Sequence, residues 1–230
     1  MQADILYRPS YSMAVVNLAP HEAIRAEVGS LVSMTEGMAI KTGTEGGVLA
    51  GLSRALLGGE SFFMNVFEAP DWGGQINFAP ALPGDMIILQ LENESLMVQS
   101  GSYVASSMGI TLDTKWSGAR TFFASEGFVM LRAQGTGLLI LSSYGAIHPI
   151  ELQAGQSYTV DTGHLVSFNE GIGFRVRPIG GVRSTLFSGE GLVVDLTGPG
   201  RVYMQTRSAD AFLSWLTAPA RNAEEEKEKK

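Results

Sequence analysis

Three stretches of the chain carry nearly the same short pattern. They are Val28-Gly29-Ser30-Leu31-Val32-Ser33, Ser100-Gly101-Ser102-Tyr103-Val104-Ala105 and Thr162-Gly163-His164-Leu165-Val166-Ser167. A second pattern alternates with it, as Gly59-Glu60-Ser61-Phe62, Ser125-Glu126-Gly127-Phe128 and Gly189-Glu190-Gly191-Leu192. The first marker is spaced by 72 and 62 residues and the second by 66 and 64. A recurring unit constrains architecture before any local propensity does, because each copy buries its apolar face against the next. The reading is one β-rich unit used three times, over approximately residues 12–80, 81–145 and 146–207. A unit of about 60 residues buries too little surface to be secure alone. A single domain over residues 1–218 with a shared core is therefore expected.

The strand pattern within the units supports this. Each opens on a short strand that ends in leucine before a turn: Val15-Val16-Asn17-Leu18, Asn77-Phe78 leading to Leu82, and Ile150-Glu151-Leu152. A second strand follows, over Ile24–Val28, Leu96–Ser100 and Tyr158–Thr162, then the glycine corner and another strand. Phe174-Arg175-Val176-Arg177 has the period of two of a half-buried strand. The second marker opens an expected hairpin in each unit: 62–67 with 76–78, 128–131 with 138–141, and 192–196 with 202–204, each across a Gly- or Pro-bearing turn. Two helices are expected. One covers Gly47–Leu57; the other starts at an N-capping Ser208, carries Phe212, Leu213, Trp215 and Leu216 at helical spacing, and stops at Pro219. Residues 219–230 read as a disordered charged tail.

Composition narrows the function classes. The chain is 45% hydrophobic and 17% charged, the balance of a packed globular protein. Its net charge of −7, with no basic stripe, argues against nucleic acid and anionic membrane surfaces as partners. The absence of cysteine removes disulfides, thiolate metal sites and cysteine nucleophiles. No apolar run approaches the roughly 20 residues of a transmembrane helix. The amino terminus has no signal-peptide pattern, so a cytoplasmic location is expected.

Glu60, Glu126 and Glu190 are the leading candidate site residues. Threefold placement could bring three carboxylates together, and they would repel unless a cation or a basic partner neutralised them. The plainer reading gives each a structural bond at the mouth of its hairpin. Glu27, Gln99 and Asp161, each two residues before a corner glycine, read as edge or turn hydrogen-bonders. Trp72, in a loop, is a candidate partner contact. The histidines, His21, His148 and His164, are scattered over the repeat scheme rather than converging, so no metal is expected. No nucleophile elbow is present, and Gly43-Thr44-Glu45-Gly46-Gly47 lacks the Gly-Lys-Ser/Thr ending of a phosphate loop. No catalytic residue and no cofactor are assigned.

The corner motifs, the run Arg54-Ala55-Leu56-Leu57-Gly58-Gly59-Glu60-Ser61 and the turn Pro83-Gly84-Asp85 together resemble a family of uncharacterised proteins. That family is named for altered inheritance of mitochondria in its eukaryotic branch. The resemblance runs over residues 3 to 217. It implies an all-β fold of antiparallel strands, a β-sandwich or double-stranded β-helix with internal pseudo-threefold repetition. It also places that fold near the trp RNA-binding attenuation protein. Eukaryotic members are mitochondrial; without an Arg-rich, acid-poor leader, this chain reads as a prokaryotic cytoplasmic relative. The resemblance supplies no catalytic motif. The expected function is a non-enzymatic, self-associating scaffold or protein-interaction module, a homo-oligomer. The alternative is a small-ligand or cation-binding β protein that uses the repeated glutamates. RNA binding has only fold analogy behind it, and the acidic charge opposes it.

Overall fold

The structure is a computed structural model that describes residues 1–42, 56–57, 60–61, 64–113, 129–179 and 191–228. Among the described residues the fold is all-β, with one helix at its end. The first stretch of chain supplies β1 (Gln2–Leu6), β2 (Met13–Leu18), β3 (Ala23–Glu27), β4 (Leu31–Met34), β5 (Ala39–Thr42), β6 (Leu56–Leu57), β7 (Glu60–Ser61), β8 (Met64–Glu68) and β9 (Gly74–Phe78). The middle stretch supplies β10 (Met86–Gln99), β11 (Tyr103–Ser107), β12 (Ile110–Asp113) and β13 (Met130–Ser142). The last supplies β14 (Ile147–Leu152), β15 (Ser157–Asp161), β16 (Leu165–Asn169), β17 (Gly173–Pro178), β18 (Leu192–Thr197), β19 (Gly200–Gln205) and helix α1 (Ala209–Glu228).

All strand-to-strand ladders among the described residues are antiparallel. In the first stretch β9 lies between β2 and β4, and β8 lies between β3 and β5. In the last, β19 lies between β14 and β16, and β18 lies between β15 and β17. In the middle, two long strands each take both roles. Met86–Glu92 of β10 pairs with Thr136–Ser142 of β13, and after an irregularity Glu94–Gln99 pairs with Met130–Gly135. β11 then flanks the second half of β13 and β12 the first. The stretches are joined by β3 on β11 and by β10 on β16.

None of the three expected hairpins forms, for one reason at the two ends and another in the middle. The turn after β8 carries the chain from the sheet of β3 and β5 into the sheet of β2 and β4, so β8 and β9 do not pair. The turn after β18 makes the matching crossing to β19. In the middle no turn intervenes, and Met130–Ser142 is one strand through Gln134-Gly135-Thr136-Gly137. Glycine is needed there: a Cβ on Gly135, held at φ +136°, would lie 2.1 Å from the Gly109 carbonyl oxygen. The middle counterpart of β2 and β14 is the first half of β10, not Asn77-Phe78, which ends β9.

The helix expected over 47–57 is corrected at its end, where Leu56–Leu57 is a strand paired with Glu60–Ser61. That ladder satisfies the backbone groups that a helical turn would otherwise use. Residues 47–55 lie outside the described residues. The terminal helix starts as expected, with the Ala211 N–H donating to Ser208 Oγ at 3.3 Å. It does not stop at Pro219 but runs to Glu228. The Ala-, Glu- and Lys-rich sequence beyond the proline has high helix propensity, which offsets the lost hydrogen bond.

Among the described residues the core has three clusters. The first gathers Val16, Ile24, Phe67, Ile76 and Phe78 of the opening stretch with Met86, Val104 and Ile140. The second is the middle stretch around Tyr103, Leu131 and Leu139, with Val166. The third gathers Phe168, Val194, Leu196 and Val202 with Met97 and Met130. Each end stretch thus packs on the middle one. The linkers are also tied together. Asp85 accepts from Arg8 Nε and Nη2 at 2.8 and 2.9 Å, from Ser12 Oγ at 3.2 Å and from the Met86 N–H at 2.8 Å. A Cβ on Gly84 would lie 1.7 Å from the Ser143 carbonyl oxygen, so this linker admits no side chain there.

Candidate functional site

The expected glutamate trio is only marginally described. Glu60 opens β7 opposite Leu57, and Glu126 and Glu190 lie outside the described residues. Trp72 sits exposed on the turn between β8 and β9, with its ring over Gly37. The histidines lie apart: His21 is 3.4 Å from Asp71, His148 is on β14, and His164 Nδ1 is 2.8 Å from the Gln205 carbonyl oxygen.

What the structure does bring together is the corners. A cavity of about 450 Å³ is lined by Glu27, by Gln99-Ser100-Gly101-Ser102 and by Thr162-Gly163. Pro80-Ala81-Leu82, Ser142-Ser143-Tyr144, Leu165, Gln205 and the first turns of α1, at Asp210 and Leu213, also line it. Each corner is held by its own short bonds. Ser30 Oγ donates to the Glu27 carbonyl at 2.7 Å. Ser102 Oγ donates to Gln99 Oε1 at 3.4 Å, and the Gly163 N–H to Asp161 Oδ1 at 2.8 Å. Gln205 fastens the third corner, donating from Nε2 to the Gly163 carbonyl and accepting from the Tyr144 N–H, both at 2.8 Å.

Gln99 and Asp161 therefore do bond the turn, as the sequence led one to expect. Glu27 differs: its backbone carbonyl serves the turn, and its carboxylate has no ion pair among the described residues. Burial pushes this carboxyl up to about 7. No Lys, Arg or His lines the cavity among the described residues. The arrangement presents a carboxyl poised to ionise near neutrality, in a lining of amide, hydroxyl and apolar groups that also holds the Asp210 carboxyl. The signal that could have found it was present in the sequence, as the match of Glu27, Gln99 and Asp161 to one slot of the repeated pattern.

A second feature lies on the same pattern. In β11 and β16, Tyr103, Val104, Leu165 and Val166 are at most 1% exposed. Their counterparts in β4, Leu31 and Val32, are 36% and 53% exposed, and Met34 is 37% exposed. The cause is the neighbour. β11 is covered along one edge by β3, and β16 by β10, whereas β4 pairs only with β9 among the described residues. β15 is the reciprocal case. It matches β3 and the second half of β10 in sequence position, yet it pairs only with β18 among the described residues. Its Tyr158 is 42% exposed where Ile24 and Leu96 are buried.

A family described as Mitochondrial biogenesis AIM24 matches residues 3–207 of the chain. An uncharacterised protein of Streptococcus pyogenes serotype M6 is 25% identical over 214 residues, covering 90% of this chain and 86% of that protein. The crystal structure of a Streptococcus pyogenes protein superposes with a TM-score of 0.79 at 22% identity, over 94% of this chain and 98% of that one. That likeness shows the fold.

Proposed function

The chain belongs to the Mitochondrial biogenesis AIM24 family, and from that premise we propose that it is a non-enzymatic scaffold that self-associates through its uncovered strand edges. The observation that carries this is the contrast between β4 and its buried counterparts β11 and β16. An apolar strand with an open edge is a template for another strand, and proteins that keep such edges use or guard them. We read the three stretches as copies of one unit joined edge to edge, in the manner of the trp RNA-binding attenuation protein. The matching pairings of β8 and β9 with those of β18 and β19 support that reading. The test is the solution mass by light scattering over a hundredfold range of concentration. A defined oligomer is expected; a monomer at every concentration overturns the reading.

The second reading is a small-ligand site in the corner cavity, favoured by the unpaired Glu27 carboxyl. Its acidic lining suits a small organic cation with an apolar portion, because ionised Glu27 would gain the counter-charge it lacks. This site uses Glu27 rather than the glutamates of the second sequence marker. Thermal shift against simple alkylamines, guanidinium compounds and diamines tests it. A shift expected at pH 8 should vanish in Glu27→Gln; the absence of any shift in the parent protein rejects the site.

A further inference from the structure

We propose that the open edge of β15 in one copy pairs antiparallel with the open edge of β4 in a second copy, Met34 opposite Thr159. The proposal rests on the self-association reading and names its partner and register.

The two junctions inside the chain supply the template. Where β3 meets β11, Ala26 lies opposite Ala105, Arg25 opposite Ser106 and Ile24 opposite Ser107. Where β10 meets β16, Val98 lies opposite Ser167, Met97 opposite Phe168 and Leu96 opposite Asn169. Counted from the corner glycines 29, 101 and 163, these are the same positions at both junctions. In each case the strand before one corner covers the strand after the next. Applying that offset to the strands left over gives Val160 opposite Ser33, Thr159 opposite Met34 and Tyr158 opposite Thr35. Among the described residues each copy has one such edge of each kind, so what one copy lacks a second supplies.

The chemistry of the two edges fits. None of the six paired residues is charged, so no like charges face each other. Thr35, just past β4, is already tied to β9, its N–H donating to the Gln75 carbonyl at 2.9 Å. Thr159 and Tyr158 are held by their ladder to β18. Both edges are therefore preorganised, which lowers the ordering cost of association. The chain's own β15 is not paired with its own β4 among the described residues. Joining β4 to β15 would extend the order β1-β2-β9-β4 by β15-β18-β17. Reciprocal pairing in a two-copy ring covers all four edges and closes the assembly.

The absence of cysteine makes the test direct. Met34→Cys and Thr159→Cys are prepared separately, mixed and mildly oxidised. A two-chain disulfide species is expected in the mixture and not in either variant alone. Thr35→Cys with Tyr158→Cys is the second pair, and wild-type solution mass is measured alongside. An oligomeric mass with no crosslink from either pair overturns the edge assignment and leaves the scaffold reading standing. A monomeric mass, with a within-chain disulfide in the Met34→Cys/Thr159→Cys double variant, shows that the chain closes on itself and overturns both. Met34→Lys is expected to keep the wild-type circular dichroism and to weaken association at least tenfold; unchanged association also overturns the proposal.

Discussion

β4 and β16 are the same kind of strand in two situations. Both follow a glycine corner, both pair with the strand that closes their stretch, and both carry an apolar pair after the corner, Leu31-Val32 in one and Leu165-Val166 in the other. Leu165 and Val166 are buried and Leu31 and Val32 are not. Pairing with its own stretch does not bury such a strand. A second edge, supplied by the neighbouring stretch, does. The apolar residues of this pattern are thus written for a junction, and one junction's worth is left over at each end of the chain.

Truncation tests that contrast most strongly. Leu165→Ala should cost about 2–5 kcal/mol in denaturant unfolding, the usual range for a buried leucine. Leu31→Ala should cost under about 1 kcal/mol in dilute protein. Equal costs would mean that β4 is as well covered as β16. If association covers β4, the Leu31→Ala cost should grow with protein concentration.

The linkers sharpen the comparison next. The strand that opens the middle stretch is preceded by buried Asp85, and the one that opens the last is preceded by Ala146. Burial pushes the Asp85 carboxyl up, but the Arg8 guanidinium, the Met86 N–H and the Ser12 hydroxyl outweigh it, so its net shift is downward. A depressed carboxyl stabilises the fold above its unfolded pKa, and that contribution is lost as pH falls through the folded value. Asp85→Ala should cost about 2–4 kcal/mol at pH 7, because Arg8 loses its partner and two buried donors go unmet. The deficit should shrink in acid. A pH-independent deficit would show that the charge is not what matters there.

The corners give the smallest effect. Glu27, Gln99 and Asp161 share one slot, and only Glu27 leaves its carboxyl unpaired among the described residues. Its raised value means that the folded state holds the proton more tightly than the unfolded chain does. Stability should therefore fall as pH rises from about 4.5 to about 7, and the cost is complete above that. Glu27→Gln should be stabilising by about 1–3 kcal/mol at pH 8, discounted for partial exposure, and neutral at pH 4. Stability curves for the two proteins that run parallel in pH would show that Glu27 is solvated.

Much of this was legible before the fold was seen. Alternation and turn residues marked an all-β chain, and Ser208 before spaced aromatics marked the start of α1. The hairpins misled because a Gly- or Pro-bearing turn between two apolar runs looks the same whether the chain returns within one sheet or crosses to another. Residues 197–200 illustrate this, lying between β18 and β19 on different sheets. Glu27 was singled out by position but assigned to the turn, because desolvation of its carboxyl depends on how the fold buries it and not on its neighbours in sequence.

What the sequence determined by itself was local and periodic: strand character, the corner glycines, the recurring slots and the absence of cysteine. These follow from backbone sterics and side-chain type within a few residues. The tertiary structure alone decided which apolar strands are covered, which turns cross between sheets and which carboxyl is stripped of water. Those are properties of neighbours brought together from distant parts of the chain. Leu31 and Leu165 occupy the same place in one pattern, and the second neighbouring strand that β16 has and β4 lacks among the described residues makes one core and the other surface.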